Sequence, residues 1–367
     1  MTESEPRSSD ATPAGVRTPI EARVTIALFT LALTLWAGLT LVLDPGPIAS
    51  FENRYLAKMP SYGTEGGGFR EYVAGLEDYL DDHLAFREPL IRFHARFKVG
   101  WLGGSPSAKL IVGKNGWFFV NDPTAVAQYR GLARFTPEQL ETWKRVLEER
   151  RDWLAERGIA FMLVLAPNKH QIYPEFMPDS LPRVGIDEQH AQLARYLRER
   201  SNLHVVDLMP AMLEGKKKER IYHKTDTHWN DVGAYLAYQK ILQGVGVALP
   251  EFSDRLHPVK VKLNRYTGRG IGLTSLVGLS DVYTEEVPQL LKLDPLSRIL
   301  MGDKRRLYAQ FEREQKPLAH GVPGARLPSA VVFRDSFSSA LIPYLSENFR
   351  HVLYVWTRDV MAKYVER

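Results

Sequence analysis

Apolar residues run from Val24 to Leu43, twenty positions without a charge, bounded by Arg23 and by Asp44-Pro45-Gly46-Pro47. At about 1.5 Å rise per residue such a run reaches about 30 Å, the thickness of a bilayer core, and predicts one membrane helix over 24–43. Arg7, Arg17 and Arg23 precede it and no Lys or Arg follows until Arg54. That asymmetry places the N-terminus in the cytoplasm and the rest of the chain in a periplasm or outside the cell. A cleaved signal peptide is the competing reading, with Ile48-Ala49-Ser50 as the small-residue site, but its apolar region usually runs only about 7 to 15 residues. The leader, residues 1–23, is rich in Ser, Pro, Thr and Glu over its first part and is expected to be disordered.

Beyond the run, the pattern divides near residue 136. Residues 44–135 read as a linker and an N-terminal segment with one helix or two over 69–98, then a hairpin of Leu110–Val112 and Trp117–Val120 around Gly113-Lys114-Asn115-Gly116. At Thr136-Pro137-Glu138-Gln139 a capping box with proline at the first helical position predicts a helix to about Arg157. The apolar run Ile159–Ala166, of the kind buried on both faces of a parallel sheet, ends in Pro167-Asn168-Lys169. A helix over 187–200, a strand over 204–208, a helix over 231–243, a strand over 330–333, a helix over 338–347 and a strand over 351–355 continue the alternation. The 136–367 region is therefore predicted to be α/β, a doubly wound parallel sheet flanked by helices, with sites at the carboxyl ends of its strands. Between about 250 and 327 the alternation fails, and the glycine-dense Thr267–Gly272 reads as a loop within an insertion.

Composition narrows the chemistry. There is no cysteine, so disulfides, thiolate metal sites and cysteine nucleophiles are excluded. A formal charge of +5 suits an anionic polymer or a membrane surface without selecting either, and no nucleic-acid partner is expected.

The stretch Asp226-Thr227-His228-Trp229-Asn230, followed about a hundred residues later by Arg334-Asp335-Ser336-Phe337-Ser338, supplies an acid, a base and a nucleophile. A serine hydroxyl needs an imidazole to take its proton, and the imidazole needs a carboxylate to fix its tautomer. If the loop is locally extended, Asp226 and His228 project to the same side. Ser336 follows an apolar strand and precedes a helix, a turn where its own N–H points outward as an oxyanion donor. Asn168, Lys169, Trp229 and Arg334 are the candidates for substrate or oxyanion contacts, with Trp229 also suited to packing the base in place. No third ligand at short spacing accompanies Asp226 and His228, so neither a metal nor another cofactor is expected.

Val164–Lys169, Ile172-Tyr173-Pro174-Glu175, Asp226–Trp229 and Asp335–Ser338 together, in this order, resemble the SGNH-hydrolase-like proteins typified by the alginate O-acetyltransferases. The resemblance extends to Phe51–Arg54, Asp81–Arg87 and Gly113–Phe118 and covers most of residues 51–360. It implies an SGNH-hydrolase-like fold and a triad of Ser336, His228 and Asp226. It further implies an acetyl-serine intermediate, a polysaccharide acceptor, and a multi-spanning membrane acyltransferase that delivers the acetyl group. That family often has glycine where Arg334 stands, and some relatives append a carbohydrate-binding module that this sequence lacks after Trp356. The polymer would then meet the catalytic domain alone, with Lys216-Lys217-Lys218 and Arg220 as a basic cluster near the Asp-x-His loop. An acetyl-esterase using the same triad with water, and a catalytically silent envelope scaffold, fit the same residues.

Overall fold

A computed structural model describes residues 20–42, 48–49, 54–63, 68–186, 189–301, 317–357 and 359–366. The expected disordered leader lies almost wholly outside the described residues. The chain forms two compact units, one of residues 1–49 and 54–87, the other of residues 50–53 and 88–367.

In the first unit, helix α1 (Ile20–Val42) covers nearly all of the apolar run. Its exposed apolar side chains, among them Val24, Ile26, Phe29, Leu31 and Trp36, are not confined to one face. Among the described residues, no helix is long and apolar enough to cross a membrane; the side chains at 33, 37 and 40–42 are not among those described. A two-residue ladder pairs β1 (Ile48–Ala49) with β2 (Arg54–Tyr55), and α2 (Phe69–His83) carries the buried Asp82, which accepts a hydrogen bond from Ala57 N at 2.7 Å.

The second unit begins with α3 (Arg87–Gly100), the hairpin β3 (Leu110–Val112) and β4 (Phe118–Val120), and α4 (Pro123–Arg130). The two units divide at 87/88, upstream of the boundary expected at 135/136. The reason is the hairpin: Phe118 and Phe119 are fully buried, and Phe118 N donates to Lys224 O at 2.8 Å, so β4 belongs to the body of the unit. Helix α5 (Pro137–Ala155) starts at the expected capping box, Thr136 Oγ1 accepting from Gln139 N and Gln139 Oε1 from Thr136 N. Then follow β5 (Met162–Leu165), the short α6 (Lys169–Ile172), α7 (Gln189–Arg200), β6 (His204–Asp207) and α8 (Met209–Gly215).

Helix α9 (Asp231–Ala248) is the centre of the main core, with Ala234, Ala237, Tyr238, Ile241, Leu242 and Val245 buried along it. It runs five residues past the expected end at 243. Gly244 does not stop it because it is a contact residue. A β-carbon there would stand 2.6 Å from Val206 Cγ2 and 3.0 Å from Met162 Sδ, so the bare backbone lets α9 press onto β5 and β6.

The remaining elements are the antiparallel ribbon of β7 (Val261–Arg269) and β8 (Thr284–Lys292), then β9 (Arg298–Met301), β10 (Leu318–Gly321), β11 (Ser329–Arg334), α10 (Ile342–Leu345), β12 (His351–Trp356) and α11 (Ala362–Val365). The fold is mixed α/β, and the strands differ from one doubly wound parallel sheet. Two parallel pairs exist, β5 with β6 and β11 with β12, and they belong to separate sheets among the described residues. The second sheet has the order β11-β12-β10-β9, with β10 and β9 joined antiparallel. Those two strands come from the segment whose pattern broke down, so the expected insertion supplies half of that sheet. The helix expected over 338–347 is broken into a 3-10 turn at Phe337–Ala340, the short α10 and another turn at Ser346–Asn348. Pro343, which has no N–H to continue an earlier turn, sits near the start of α10.

Candidate active site

The acid and the base lie in a loop closed by a bridge between Tyr222 and Trp229, with His223 N donating to His228 O at 3.2 Å and Asn230 N to Ile221 O at 3.0 Å. The loop is bent, which corrects the extended geometry expected for Asp226 and His228. An aspartate whose carboxylate accepts the backbone N–H two residues on makes a local turn, and here Asp226 Oδ1 accepts His228 N at 2.9 Å. The same oxygen takes His228 Nδ1 at 2.7 Å. On the far side of the ring, Nε2 is 2.8 Å from Ser336 Oγ. Side chains 108 residues apart thus form a continuous chain from carboxylate through imidazole to hydroxyl. Burial would raise the Asp226 carboxyl, but the hydrogen bonds from the His228 ring and backbone, with its charge, outweigh burial and hold it down to about 2. It is ionised throughout the neutral range, as an acceptor for Nδ1–H must be.

Because this loop has no regular structure of its own, other segments hold it. Lys169, 1% exposed, donates from Nζ to Phe118 O at 2.6 Å, Lys224 O at 2.9 Å and Asp226 O at 2.8 Å, and its ammonium faces the Trp117 and Phe119 rings. Burial pushes its pKa down to about 7, against the pull of the Asp226 and Glu285 charges. Glu285 on β8 is buried, and it accepts Arg220 Nη1 at 2.5 Å, Lys224 N at 2.8 Å and Thr225 Oγ1 at 2.6 Å. Burial alone would raise its carboxyl, but these donors and nearby positive charge lower it. Asn230 then caps α9, its Oδ1 accepting Gly233 N at 3.1 Å.

Ser336, the candidate nucleophile, rides on the end of β11. Ser336 opens the 3-10 turn with φ −67° and ψ −30°, unstrained values. Phe337 N is taken by Asp335 Oδ1 at 3.0 Å, and Ser339 N donates to Ser336 O at 3.1 Å. The Ser336 N–H has no acceptor among the described residues.

The four contact candidates have other partners. Lys169 faces inward and is a brace of the Asp226 loop. Trp229 is 2% exposed and donates from Nε1 to Phe337 O at 3.1 Å, tying the base loop to the serine turn. Phe337 in turn sets its ring edgewise to both His228 and Trp229, each centroid at 5.0 Å. Arg334 is buried beneath the serine turn, donating to Asp335 O at 3.1 Å and Ser339 Oγ at 2.8 Å, with its guanidinium 4.4 Å above the Trp356 ring. Burial lowers its pKa to about 10, opposed by Asp335 and Tyr354. Asn168 precedes α6 and donates to Gln128 Oε1 at 3.0 Å; no hydrogen bond joins it to Ser336 or His228 among the described residues. The basic cluster is also engaged: Lys216 binds Ile172 O and Glu175, Lys217 binds Glu214, and Arg220 binds Glu285.

Glu285, Thr225 and Gly272 escaped sequence reasoning. The glycine density at 267–272 was the one visible signal, and it read as a structural loop in an insertion able to supply a wall of the site. Among the described residues no group of three or more His, Asp or Glu is placed to share a metal ion.

Comparison with known proteins bears on this arrangement. Residues 110–266 match the family described as SGNH hydrolase-like domain, acetyltransferase AlgX. The matched stretch is less than half of the chain. It contains Asp226, His228, Asn168, Lys169 and Trp229 and ends before Ser336, whose placement rests on the geometry above. The chain is 28% identical over 139 residues to a probable alginate O-acetylase AlgJ of Pseudomonas putida, covering 37% of this chain and 34% of that protein. With the AlgJ of Pseudomonas syringae pv. tomato it is 22% identical over 272 residues, 72% of this chain and 64% of that one. The chain thus spans between about a third and just under two thirds of the length of these relatives. Among solved structures, Bacillus cereus PatB1 matches with a TM-score of 0.48 and 15% identity over 69% of this chain and 88% of that one.

Proposed function

We propose that this protein is a serine-dependent O-acetyltransferase acting on an exported polysaccharide. The observation that carries the reading is the pair of contacts on one imidazole, 2.7 Å to Asp226 Oδ1 and 2.8 Å to Ser336 Oγ. The similarity to alginate O-acetylases supports the transferred group and the class of acceptor.

In this mechanism His228 Nε2 takes the Ser336 proton as Oγ attacks the carbonyl carbon of an acetyl donor, while Asp226 stabilises the imidazolium. Negative charge on the carbonyl oxygen meets the Ser336 N–H, a donor with no protein acceptor to give up. Collapse expels the donor's leaving group, which takes the proton from His228 and leaves acetyl-serine. A sugar hydroxyl then attacks the ester, His228 removes its proton, and the second collapse returns that proton to Ser336 Oγ as the acetylated sugar departs. The apolar run over 24–43 supports a membrane anchor with the catalytic unit on the exported side. An acetyl group made in the cytoplasm must then arrive through a membrane-embedded acyltransferase.

The full chain in mild detergent, given a chromogenic acetyl ester with and without an oligosaccharide, tests the reading by mass spectrometry. Acetylated oligosaccharide is expected; free acetate alone would make the protein an esterase. Ser336→Ala is expected to lower either activity by at least ~10³-fold. An unchanged rate in that variant would remove Ser336 from the mechanism.

A further inference from the structure

The turn that follows β7 lies directly on the acid. Ile271 N donates to Thr225 Oγ1 at 3.0 Å and Leu273 N to Thr225 O at 3.0 Å, so the turn is pinned to the residue preceding Asp226. Between these two anchors stands Gly272, with φ +49°. A β-carbon at 272 would lie 1.8 Å from Asp226 Oδ2, 2.5 Å from its Cγ and 3.1 Å from its Cβ. Real β-carbons do not approach other atoms under about 3 Å, and this neighbour is a short side chain committed to His228, so it cannot swing away at no cost. Both contacts to His228 use Oδ1, which leaves Oδ2 facing the glycine.

We infer that Gly272 is a positioning residue for Asp226. Its bare Cα closes off Oδ2 and leaves the carboxylate one orientation, with Oδ1 on the imidazole. This inference rests on the acyl-transfer reading for its kinetic consequence, though its geometric consequence stands apart from it. The left-handed φ is a second reason for glycine, and the two reasons are separable. Gly158, at the end of α5, has φ +68° with nothing within 4 Å of a would-be β-carbon. An alanine at 158 therefore reports backbone strain alone, and one at 272 reports strain and the collision.

Gly272→Ala is expected to lower kcat by ~10²-fold with KM within about twofold, the scale of a small misplacement in a catalytic array. Gly158→Ala should leave kcat unchanged. In an Asp226→Ala background, where the colliding oxygen is gone, adding Gly272→Ala should cost less than about threefold more, because the two changes remove the same thing. Crystal structures of the two glycine variants give a readout independent of turnover: the contact of 2.7 Å between Asp226 and His228 should be lost in the 272 variant and kept in the 158 variant. A 272 variant that keeps that contact, or whose loss of activity persists undiminished without the Asp226 carboxylate, overturns the inference. If Ser336→Ala has full activity, the acyl-transfer reading fails and the crystallographic comparison still decides the role of Gly272.

Discussion

The loop of 222–230 and the turn of 334–340 bring together Asp226, His228 and Ser336, and they are built in opposite ways. The serine turn inherits its position from β11, paired in register with β12 from Ser329 to Arg334, and is finished by local bonds from Asp335 and Arg334 and one longer-range bond from Trp229. The acid–base loop continues no strand. It is held from outside by a backbone bond from β4, the buried cation of α6, the buried anion of β8 and the glycine-bearing turn after β7. A group placed by a regular element is tuned by its neighbours, whereas a group placed by a bare loop depends on them for its existence. Variants around the loop should therefore cost folding as well as activity, and variants around the turn should cost activity first.

The largest effect on stability is expected at Glu285. Glu285→Gln leaves Arg220 without its buried counter-charge, and breaking one side of such a pair costs about 3–5 kcal/mol; urea unfolding should show the loss. Next comes Lys169→Met, which keeps the length of the side chain but leaves the carbonyls of Phe118, Lys224 and Asp226 without their donor. Each buried acceptor so stranded costs about 1–3 kcal/mol, and the sum after partial rehydration should fall near ~3 kcal/mol with a loss of activity. Arg334→Lys is the counterpart at the turn. Both bonds leave one nitrogen, Nη1, so the ammonium of a lysine replaces at most that point donor and loses the planar guanidinium that lies over Trp356. It should lower kcat about tenfold while the unfolding free energy changes by about 1 kcal/mol, and equal losses in both would erase the contrast.

The smallest effect is in pH. His170, buried with Nε2 on Val120 O at 2.9 Å, is pushed down to about 4 by burial. The unfolded chain binds its proton near pH 6.5 and the folded chain only near 4, so stability falls as pH drops through that interval. Asp226 acts in a lower window. Its carboxyl is held at about 2, below the unfolded value near 4, so its contribution is complete above about 4 and is lost on acidification toward 2. A thermal melt series from pH 7 to 3 should show the His170 interval, and His170→Asn should flatten it.

The meeting of Asp226, His228 and Ser336 was legible because their spacing and setting follow from chemistry. Direction was not. Lys169, Trp229 and Arg334 were expected as substrate or oxyanion contacts, Trp229 also as packing for the base, yet all three face inward, since a sequence gives neighbourhood along the chain and not the side to which a long side chain turns. The bend at Asp226 escaped because an extended loop and a local carboxylate turn both bring positions two apart together. Helix α9 outran its expected end because Gly244 is a packing surface, a property that exists only once β5 and β6 lie against it. Glu285 had no signal at all: its partners, Arg220 and Thr225, are some sixty residues away.

The distance of 108 residues between base and nucleophile carries a consequence for synthesis. When the acid and the base have left the ribosome, the hydroxyl has not been made, and β11 gains its partner only after residue 351 is available. Contacts of such separation close late, because the chain entropy between them is lost before the contact is gained. A nascent, truncated or half-threaded chain thus lacks the array of Asp226, His228 and Ser336, which arrives together with the completed fold.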